Sequence, residues 1–487
     1  VLSPTFWSII GGTLHLLVVV IAFFIVPVNR KPSSATAWLL LITIAPLIGV
    51  VIFLLIGNPK LPQRRRQLQR QMSKRIAQAI DRADDDPAVA ALLAPAVPPF
   101  ARPHEAIARR LGGMPAFTGN CVELLPEYDA IINRMAQEIE GARRFVHVEF
   151  YIIARDRTTE GFFAAMERAV QRGVKVRLLL DQIGSRSYPG RKEMERHLSA
   201  IGVDWHYMLP VGKPGEWLRF DLRNHRKILV VDGVAAYTGS LNVIDRTYHR
   251  KDDLYYDELC VRVTGPVVAQ LDAAFATDWY AETGELLDPA SFPELLQDGW
   301  RAAGESLCQV LPSGSGFEDE NNLRLFTGLI NAAQRRLVIV NPYFVPDESL
   351  MLAVTSAALR GVTVTLINSA AVDQLFVASA QKSYYEQLLR AGVEVLQYEL
   401  PILLHAKTIA VDDQIAMIGS SNLDIRSFTL NMEVSLVVYD PAVVGELYKV
   451  FDGYIARSRR VQLNSWERRS AGERLMENIA RLTAALQ

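Results

Sequence analysis

The sequence predicts an α/β fold class: two similar α/β/α domains in tandem, preceded by a two-helix transmembrane hairpin. Three observations predict it. Two long apolar runs lie at the N-terminus. Beyond them, short β-rich runs alternate with helical patterns, the sign of α/β units on a mixed sheet. And one polar string occurs twice. Its first copy is His225-Arg226-Lys227-Ile228-Leu229-Val230-Val231-Asp232, followed by Gly239-Ser240-Leu241-Asn242. Its second is His405-Ala406-Lys407-Thr408-Ile409-Ala410-Val411-Asp412, followed by Gly419-Ser420-Ser421-Asn422. Both read H-x-K-x4-D with G-S-x-N at the same distance downstream, and two such strings in register are not chance.

A chain of 487 residues holds more than one domain. Its net charge of -1 makes no global basic field and argues against a nucleic-acid partner. Cys121, Cys260 and Cys308 are far apart and odd in number, which reads as buried thiols rather than disulfides or a zinc site.

Phe6 to Val26 is almost unbroken apolar sequence, and Ala35 to Ile56 is a second such run. Each matches the length that crosses a hydrocarbon core of roughly 30 Å. A cleaved signal peptide would not be followed at once by another run. Residues 1–58 are therefore expected to form two membrane helices, the second bent at Pro46, with His15 as an inter-helix polar contact. Lys60, Arg64, Arg65, Arg66, Arg70, Lys74 and Arg75 crowd behind the second run, whereas the loop between runs has only Arg30 and Lys31. The positive-inside rule puts both ends in the cytoplasm, and the basic stretch suits anionic headgroups as well as a solvated helix. Residues 59–115 read as this basic segment plus a Pro-rich connector, Asp81 to Pro103.

The body repeats itself. Arg143 to Tyr151 parallels Arg335 to Phe344, and Gln171 to Leu180 parallels Leu359 to Ile367. Glu258 and Glu433 each open a strand after the motif that ends before a proline. The domains are expected over 116–290 and 291–464, with their motif edges facing one another. Residues 465–487 carry Leu475, Met476, Ile479 and Leu482 at the spacing of an amphipathic helix, expected to pack on the body.

A strand's period of two puts His225 and Lys227 on one face, and His405 and Lys407 likewise. Displacement at a phosphodiester needs a nucleophile, a proton donor for the departing oxygen, and cations on the phosphoryl oxygens. Two imidazoles and two ammonium groups supply these. Asp232 and Asp412 complete the candidate catalytic motif, yet five residues beyond Lys is the opposite strand face, which favours a structural role. Ser240, Asn242, Ser420 and Asn422 are candidates to finish the phosphate cradle, with capping of the following turn as the alternative. Glu258 and Glu433 are candidates to orient the histidines; which serves which is open. Arg246 and Arg426 either pair with phosphate or brace the loop. His147, beside Glu149, reads as a core histidine; His104, His197, His206 and His249 read as surface or loop residues. No metal is expected, because paired lysines do a metal's work.

The two strings resemble the HKD motifs of the phospholipase D superfamily, whose members transfer phosphatidyl or phosphodiester groups through a phosphohistidine. The whole chain is similar to bacterial cardiolipin synthases. The likeness runs from Ala37-Trp38-Leu39-Leu40 and Pro46-Leu47-Ile48-Gly49 through Arg223-Asn224-His225, Asn341-Pro342-Tyr343-Phe344-Val345-Pro346 and Ser420-Ser421-Asn422-Leu423-Asp424-Ile425-Arg426-Ser427. It implies two phospholipase D-like domains and no cofactor. It implies a reaction in which two phosphatidylglycerol molecules become cardiolipin plus glycerol. The implied partners are phosphatidylglycerol and an anionic phospholipid membrane; homo-oligomerisation is open. The implied location is the bacterial inner membrane, multi-pass, with cytoplasmic catalytic domains. The superfamily's usual pattern makes His225 the nucleophile and His405 the acid–base, with the reverse left open. A membrane-bound phospholipase D hydrolase or another phosphatidyltransferase would use the same residues. Pro214 to Phe220 and Leu400 to Leu404 are further candidates for interfacial contact.

Overall fold

Proline sits well at the first position of a helix, where its missing N–H costs nothing. The apolar N-terminus uses it three times, in α1 (Pro4–Ile25), α2 (Pro32–Ile44) and α3 (Pro46–Ile56). The computed structural model describes all residues except 1–3, 29, 84–89, 93–96, 213–218, 249–253, 288–301, 372 and 483–487. Pro214 to Leu218 and His249 therefore lie outside the described residues. The chain divides into two units, Val1–Lys60 and Leu61–Gln487.

In the first unit, the second apolar run is two helices rather than one bent span. Pro46 removes a backbone donor and clashes with the preceding turn. Ala45 leaves helical geometry at φ -134° and ψ 73°. The chain then folds back so tightly that a Cβ on Gly49 would lie 2.8 Å from the Ile42 Cα. Among the described residues no helix is long and apolar enough to cross a membrane. His15 donates from Nε2 to the Thr43 carbonyl at 3.0 Å, the inter-helix contact its position suggested. Ala22, Val26, Ala35 and Ile42 form a small core.

The second unit opens with α4 (Gln63–Ala83), which carries most of the basic cluster. It is not a freely solvated helix. Arg65 is buried and forks onto both carboxylate oxygens of Glu282, which also accepts from the Leu209 amide at 2.8 Å. Arg70 pairs with Glu318. The expected connector is likewise partly structured: α4 runs to Ala83, and the helix Arg102–Gly112 buries His104 and Ala108 against the body. His104 thus departs from the surface reading. His206 is exposed and His197 half-buried, as expected.

The N-terminal repeat supplies β1 (Phe117–Leu125), β2 (Phe145–Phe150), β3 (Lys175–Asp181), β4 (Asp204–Met208), β5 (Lys227–Val231), β6 (Ala235–Gly239), β7 (Tyr255–Asp257) and β8 (Cys260–Thr264). The C-terminal repeat begins with β9 (Ser306–Ser313), β10 (Arg336–Val340), β11 (Phe344–Val345), β12 (Thr363–Ser369), β13 (Glu394–Tyr398) and β14 (Ile402–Leu404). It continues with β15 (Thr408–Val411), β16 (Ile415–Gly419), β17 (Leu423–Asp424), β18 (Glu433–Val438) and β19 (Ser458–Arg460). One 15-stranded sheet runs β4-β3-β2-β5-β6-β8-β1-β9-β18-β16-β15-β10-β12-β13-β19. Read outward from the β1–β9 seam, both repeats place their strands in the same order, and β19 is an extra edge. The outer strands β2-β3-β4 and β10-β12-β13 are parallel; the inner ones are antiparallel. The two repeats thus share one continuous sheet, and the boundary drawn between them at 290 falls outside the described residues.

Alternation along β2 shows how helices cover both faces. Val146 and Val148 pack with Ile131, Ile132, Phe162 and Phe163 from the helices Tyr128–Glu140 and Glu160–Gln171. His147 points the other way, held by Asp272 at 2.7 Å and stacked between Phe145 and Phe275, the core histidine its sequence context suggested. Cys260 and Cys308 are buried thiols, but Cys121 is exposed.

Candidate active site

Each motif histidine lies just before a central strand, at the end where the two repeats meet. The His225 amide donates to the Met432 carbonyl at 2.8 Å, next to Glu433. The His405 amide donates to the Asp257 carbonyl at 2.7 Å, next to Glu258. These main-chain bonds cross between repeats, and the side chains follow them. His225 Nδ1 faces Glu433 at 3.0 and 3.1 Å and the Ser420 carbonyl at 3.1 Å. His405 Nδ1 faces Glu258 at 2.8 Å. Each histidine is therefore oriented by the glutamate of the other repeat, the pairing that sequence left open. Nδ1 is the engaged nitrogen in both rings, so Nε2 is left for chemistry.

Lys227 and Lys407 point into the same interior, where each donates to the carbonyl of its own histidine, at 2.7 and 2.6 Å. Burial drives Lys227 down to about 7 and Lys407 down to about 8, against the pull of Glu433 and Glu258. Burial lowers both His225 and His405, and repulsion from Lys227 and Lys407 acts on each in the same direction, opposed at His225 by Glu433. Burial pushes Glu258 up to about 7. Glu433 stays below the usual carboxylate range, because His225, Lys227 and Ser420 outweigh its burial.

The glycine of each G-S-x-N lies where the chain passes over the start of the glutamate strand. A Cβ on Gly239 would come within 2.4 Å of the Leu259 carbonyl, and on Gly419 within 2.4 Å of the Val434 carbonyl. Ser240 Oγ then accepts from the Leu259 amide at 3.0 Å, and Ser420 Oγ from the Val434 amide at 3.1 Å. Ser420 Oγ also donates to Glu433 at 2.5 Å. The serines thus tie down the turn, the capping alternative, and Ser420 braces a histidine partner too. Asn242 accepts from the Ile152 amide at 3.3 Å and donates to the Tyr248 hydroxyl at 3.4 Å. The Asn422 Oδ1 is buried without a partner among the described residues.

Asp232 and Asp412, the last members of the candidate catalytic motif, make their hydrogen bonds away from the histidines, as their position on the opposite strand face suggested. Asp232 accepts the amides of Arg143, Arg144 and Phe145 at 2.8 to 2.9 Å. Asp412 does the same for Gln334, Arg335 and Arg336 at 2.7 to 3.3 Å. Both adopt a left-handed backbone, φ 53° and 51°. They hold the loop that leads into β2 or β10, at the far end of the motif strand. Arg246 pairs with Asp257 at 2.8 Å and Arg426 donates to the Asp221 carbonyl at 2.8 Å, so both brace loops.

The sequence reading missed an aromatic wall. Tyr151 meets His225 edge-on at 5.0 Å and lies 5.5 Å from the Lys227 ammonium. Tyr256 and Tyr343 approach His405 at 5.7 and 6.4 Å. Tyr343 donates to Asp373 at 2.6 Å, and Tyr256 to the same carboxylate at 3.4 Å. The signal for Tyr151 and Tyr343 was present, since both repeated β-runs end on aromatics.

Two imidazoles with oriented Nδ1 and two ammonium groups in one buried site can attack a phosphodiester, hold its anionic oxygens and exchange a proton with an alcohol. Comparison with known proteins decides the family. Residues 135–279 and 326–455 match the model described as cardiolipin synthase, PLD-like domain. The chain belongs to the cardiolipin synthase family of phospholipase D-like proteins. It is 33% identical over 478 residues to cardiolipin synthase A of Proteus mirabilis strain HI4320, covering 97% of this chain and 95% of that one. It is 34% identical over 487 residues to cardiolipin synthase A of Serratia proteamaculans strain 568, covering 98% of each. Among solved structures, phosphatidylserine synthase of Haemophilus influenzae Rd KW20 superposes with a TM-score of 0.60 at 16% identity. That match covers 79% of this chain and 98% of the other, and it carries the fold.

Proposed function

We propose that this chain is a phosphatidyltransferase that makes cardiolipin from two molecules of phosphatidylglycerol. The observation that carries the reading is the pair of histidine–glutamate contacts exchanged between repeats, with both motif lysines beside them. Near-full-length likeness to cardiolipin synthases A supports it.

In the first step, His225 Nε2 forms a bond to phosphorus as the bond to the glycerol oxygen breaks. His405 gives that oxygen its proton, and glycerol leaves. In the second step, a hydroxyl of another phosphatidylglycerol passes its proton to His405 and bonds to phosphorus, and the P–N bond breaks. Glu433 and Glu258 stabilise whichever imidazole carries positive charge. Lys227 and Lys407 hold the phosphoryl oxygens.

Burial lowers both imidazoles and each has its Nδ1 on a glutamate, so the exchanged assignment, with His405 attacking and His225 as acid–base, uses equivalent atoms. Quenching with labelled phosphatidylglycerol and mapping the acid-labile phosphohistidine tests both assignments. A label on His225 supports the first and one on His405 the second; no covalent species under any quench refutes both. Product analysis with pure phosphatidylglycerol tests the reaction itself. Cardiolipin and glycerol are expected, whereas phosphatidic acid alone would make water the acceptor and the protein a hydrolase.

Residues 1–58 are proposed as the bilayer anchor, α1 forming one arm and α2–α3 the other, with residues 116–290 and 291–464 as the two catalytic repeats at a bacterial inner membrane. The body is proposed to be cytoplasmic, supported by the basic residues Lys60 to Arg75. Labelling of Cys121 by an impermeant reagent only after the cytoplasmic face is opened is the expected result; labelling from outside would overturn it.

A further inference from the structure

The C-terminal helix is oriented opposite to expectation. Helix Ala471–Leu482 packs against helix Leu375–Arg390, but with its polar face. Ala480 and Glu477 are the residues it buries. Glu477 pairs with Arg469, and Arg481 stacks 4.7 Å over the Tyr384 ring. The apolar stripe points outward: Leu475 is 60%, Met476 55%, Ile479 44% and Leu482 86% exposed. A surface helix of a soluble domain turns its apolar stripe to the core. This one has buried the wrong face for water, at the cost of leaving four large apolar side chains exposed together.

Charge and position indicate what covers them. Residues 457–482 hold seven arginines against three glutamates in a chain of net charge -1. Arg459, Arg468 and Arg474 are exposed and make no ion pair among the described residues. An outward apolar stripe flanked by arginines is the pattern of a helix lying in an anionic lipid interface. The supporting helix Leu375–Arg390 leads back to the site: Phe376, in its first turn, is 60% exposed, and the nearby Asp373 receives the Tyr343 and Tyr256 hydroxyls beside His405.

We propose that helix Ala471–Leu482 is an interfacial docking element, its Leu475–Leu482 face seated in the headgroup and acyl boundary of an anionic bilayer, with Phe376 extending that contact toward the active site. The inference rests on the phosphatidylglycerol reading for its purpose, since the body must take both substrates from a bilayer. The depth measurement that tests it first does not depend on turnover.

Full-length protein is reconstituted into vesicles of phosphatidylglycerol and phosphatidylcholine. In a Cys121→Ser background, Ile479→Cys carries an environment-sensitive fluorophore, and Lys192→Cys, exposed on the helix Arg191–Ala200, serves as the reference. The expected result is a blue-shifted Ile479 label quenched several-fold more by lipid-borne quenchers than the Lys192 label. Equal, water-like signals at both positions would overturn the proposal. So would energy transfer between differently labelled Ile479 sites at a fixed one-to-one ratio, which would make the stripe a contact between two copies. A second measurement uses Leu475→Glu/Ile479→Glu, whose substitutions lie on the solvent face. Turnover in vesicles should fall about tenfold while turnover in detergent-mixed micelles is retained; equal turnover in both would also count against docking. If wild-type protein makes no cardiolipin in these vesicles, the functional reading fails, whereas the depth measurement still reports on the helix.

Discussion

The two repeats place the same motif on equivalent strands, yet they surround it differently. Two residues before His225 stands Arg223, buried and paired with Asp181 at 3.2 Å. Two residues before His405 stands Leu403, and the polar neighbours there are Asp373 and its two tyrosines. The residue between His and Lys differs too. Arg226 is buried, pairs with Asp278 and donates to the Glu433 carbonyl at 3.1 Å, whereas Ala406 reaches nothing polar. Glu433 engages His225 with both oxygens, while Glu258 uses one, its Oε2 lacking a hydrogen bond among the described residues. Duplication thus preserved the reacting groups, and divergence acted on their neighbours. A duplicated site can split its labour without altering a single motif residue.

The comparison can be broken at its strongest point first. His225→Ala and His405→Ala should each lower cardiolipin formation by at least on the order of 10⁴-fold, since nucleophile and acid act as one unit. Retained turnover in either variant would show that one repeat suffices. Lys227→Ala and Lys407→Ala should each cost on the order of 10²–10³-fold in kcat. A phosphate-binding readout, such as protection from thermal unfolding by a soluble phosphodiester, should weaken in parallel.

The glutamates sharpen the contrast. Glu433→Gln should cost on the order of 10²-fold and Glu258→Gln about tenfold, because Glu433 holds its charge and Glu258 titrates at about 7. Equal losses would erase the electrostatic difference between repeats. The lysines give a pH signature. Their ammonium forms are lost as pH rises through about 7 for Lys227 and about 8 for Lys407 in the free site, so kcat/KM should fall on the alkaline limb. A bound phosphodiester anion raises both values, so the matching break in kcat should lie higher. Lys227→Arg should remove the lower break in kcat/KM. The smallest catalytic effect is expected at the motif aspartates. Asp232→Ala should destabilise the fold by about 2 kcal/mol through three unsatisfied amides, visible as a lowered Tm, with kcat per folded molecule nearly unchanged.

Much of the body was legible because repetition carries its own control. Strand period two predicted that His225 shares a face with Lys227 and that Asp232 does not, and both motifs behave so. The glutamates were recognisable as candidates by their matched position, but their exchange was not, since pairing across 208 and 147 residues leaves no local pattern. The C-terminal stripe was visible as a period and misread as a packing face. Periodicity identifies which side chains share a face; which face meets the body depends here on Arg481 over Tyr384 and Glu477 with Arg469, contacts from other elements. The second apolar run failed as a single helix for a local reason, Pro46.

The exchanged glutamates also order events in time. During synthesis the first repeat emerges complete with His225 and Lys227, but the carboxylate that holds that imidazole arrives 208 residues later. Until β18 joins the sheet, the nascent chain carries reactive groups without their orientation. Neither imidazole is held in place until both repeats share the one sheet, so orientation of the reacting groups is a property of the assembled body.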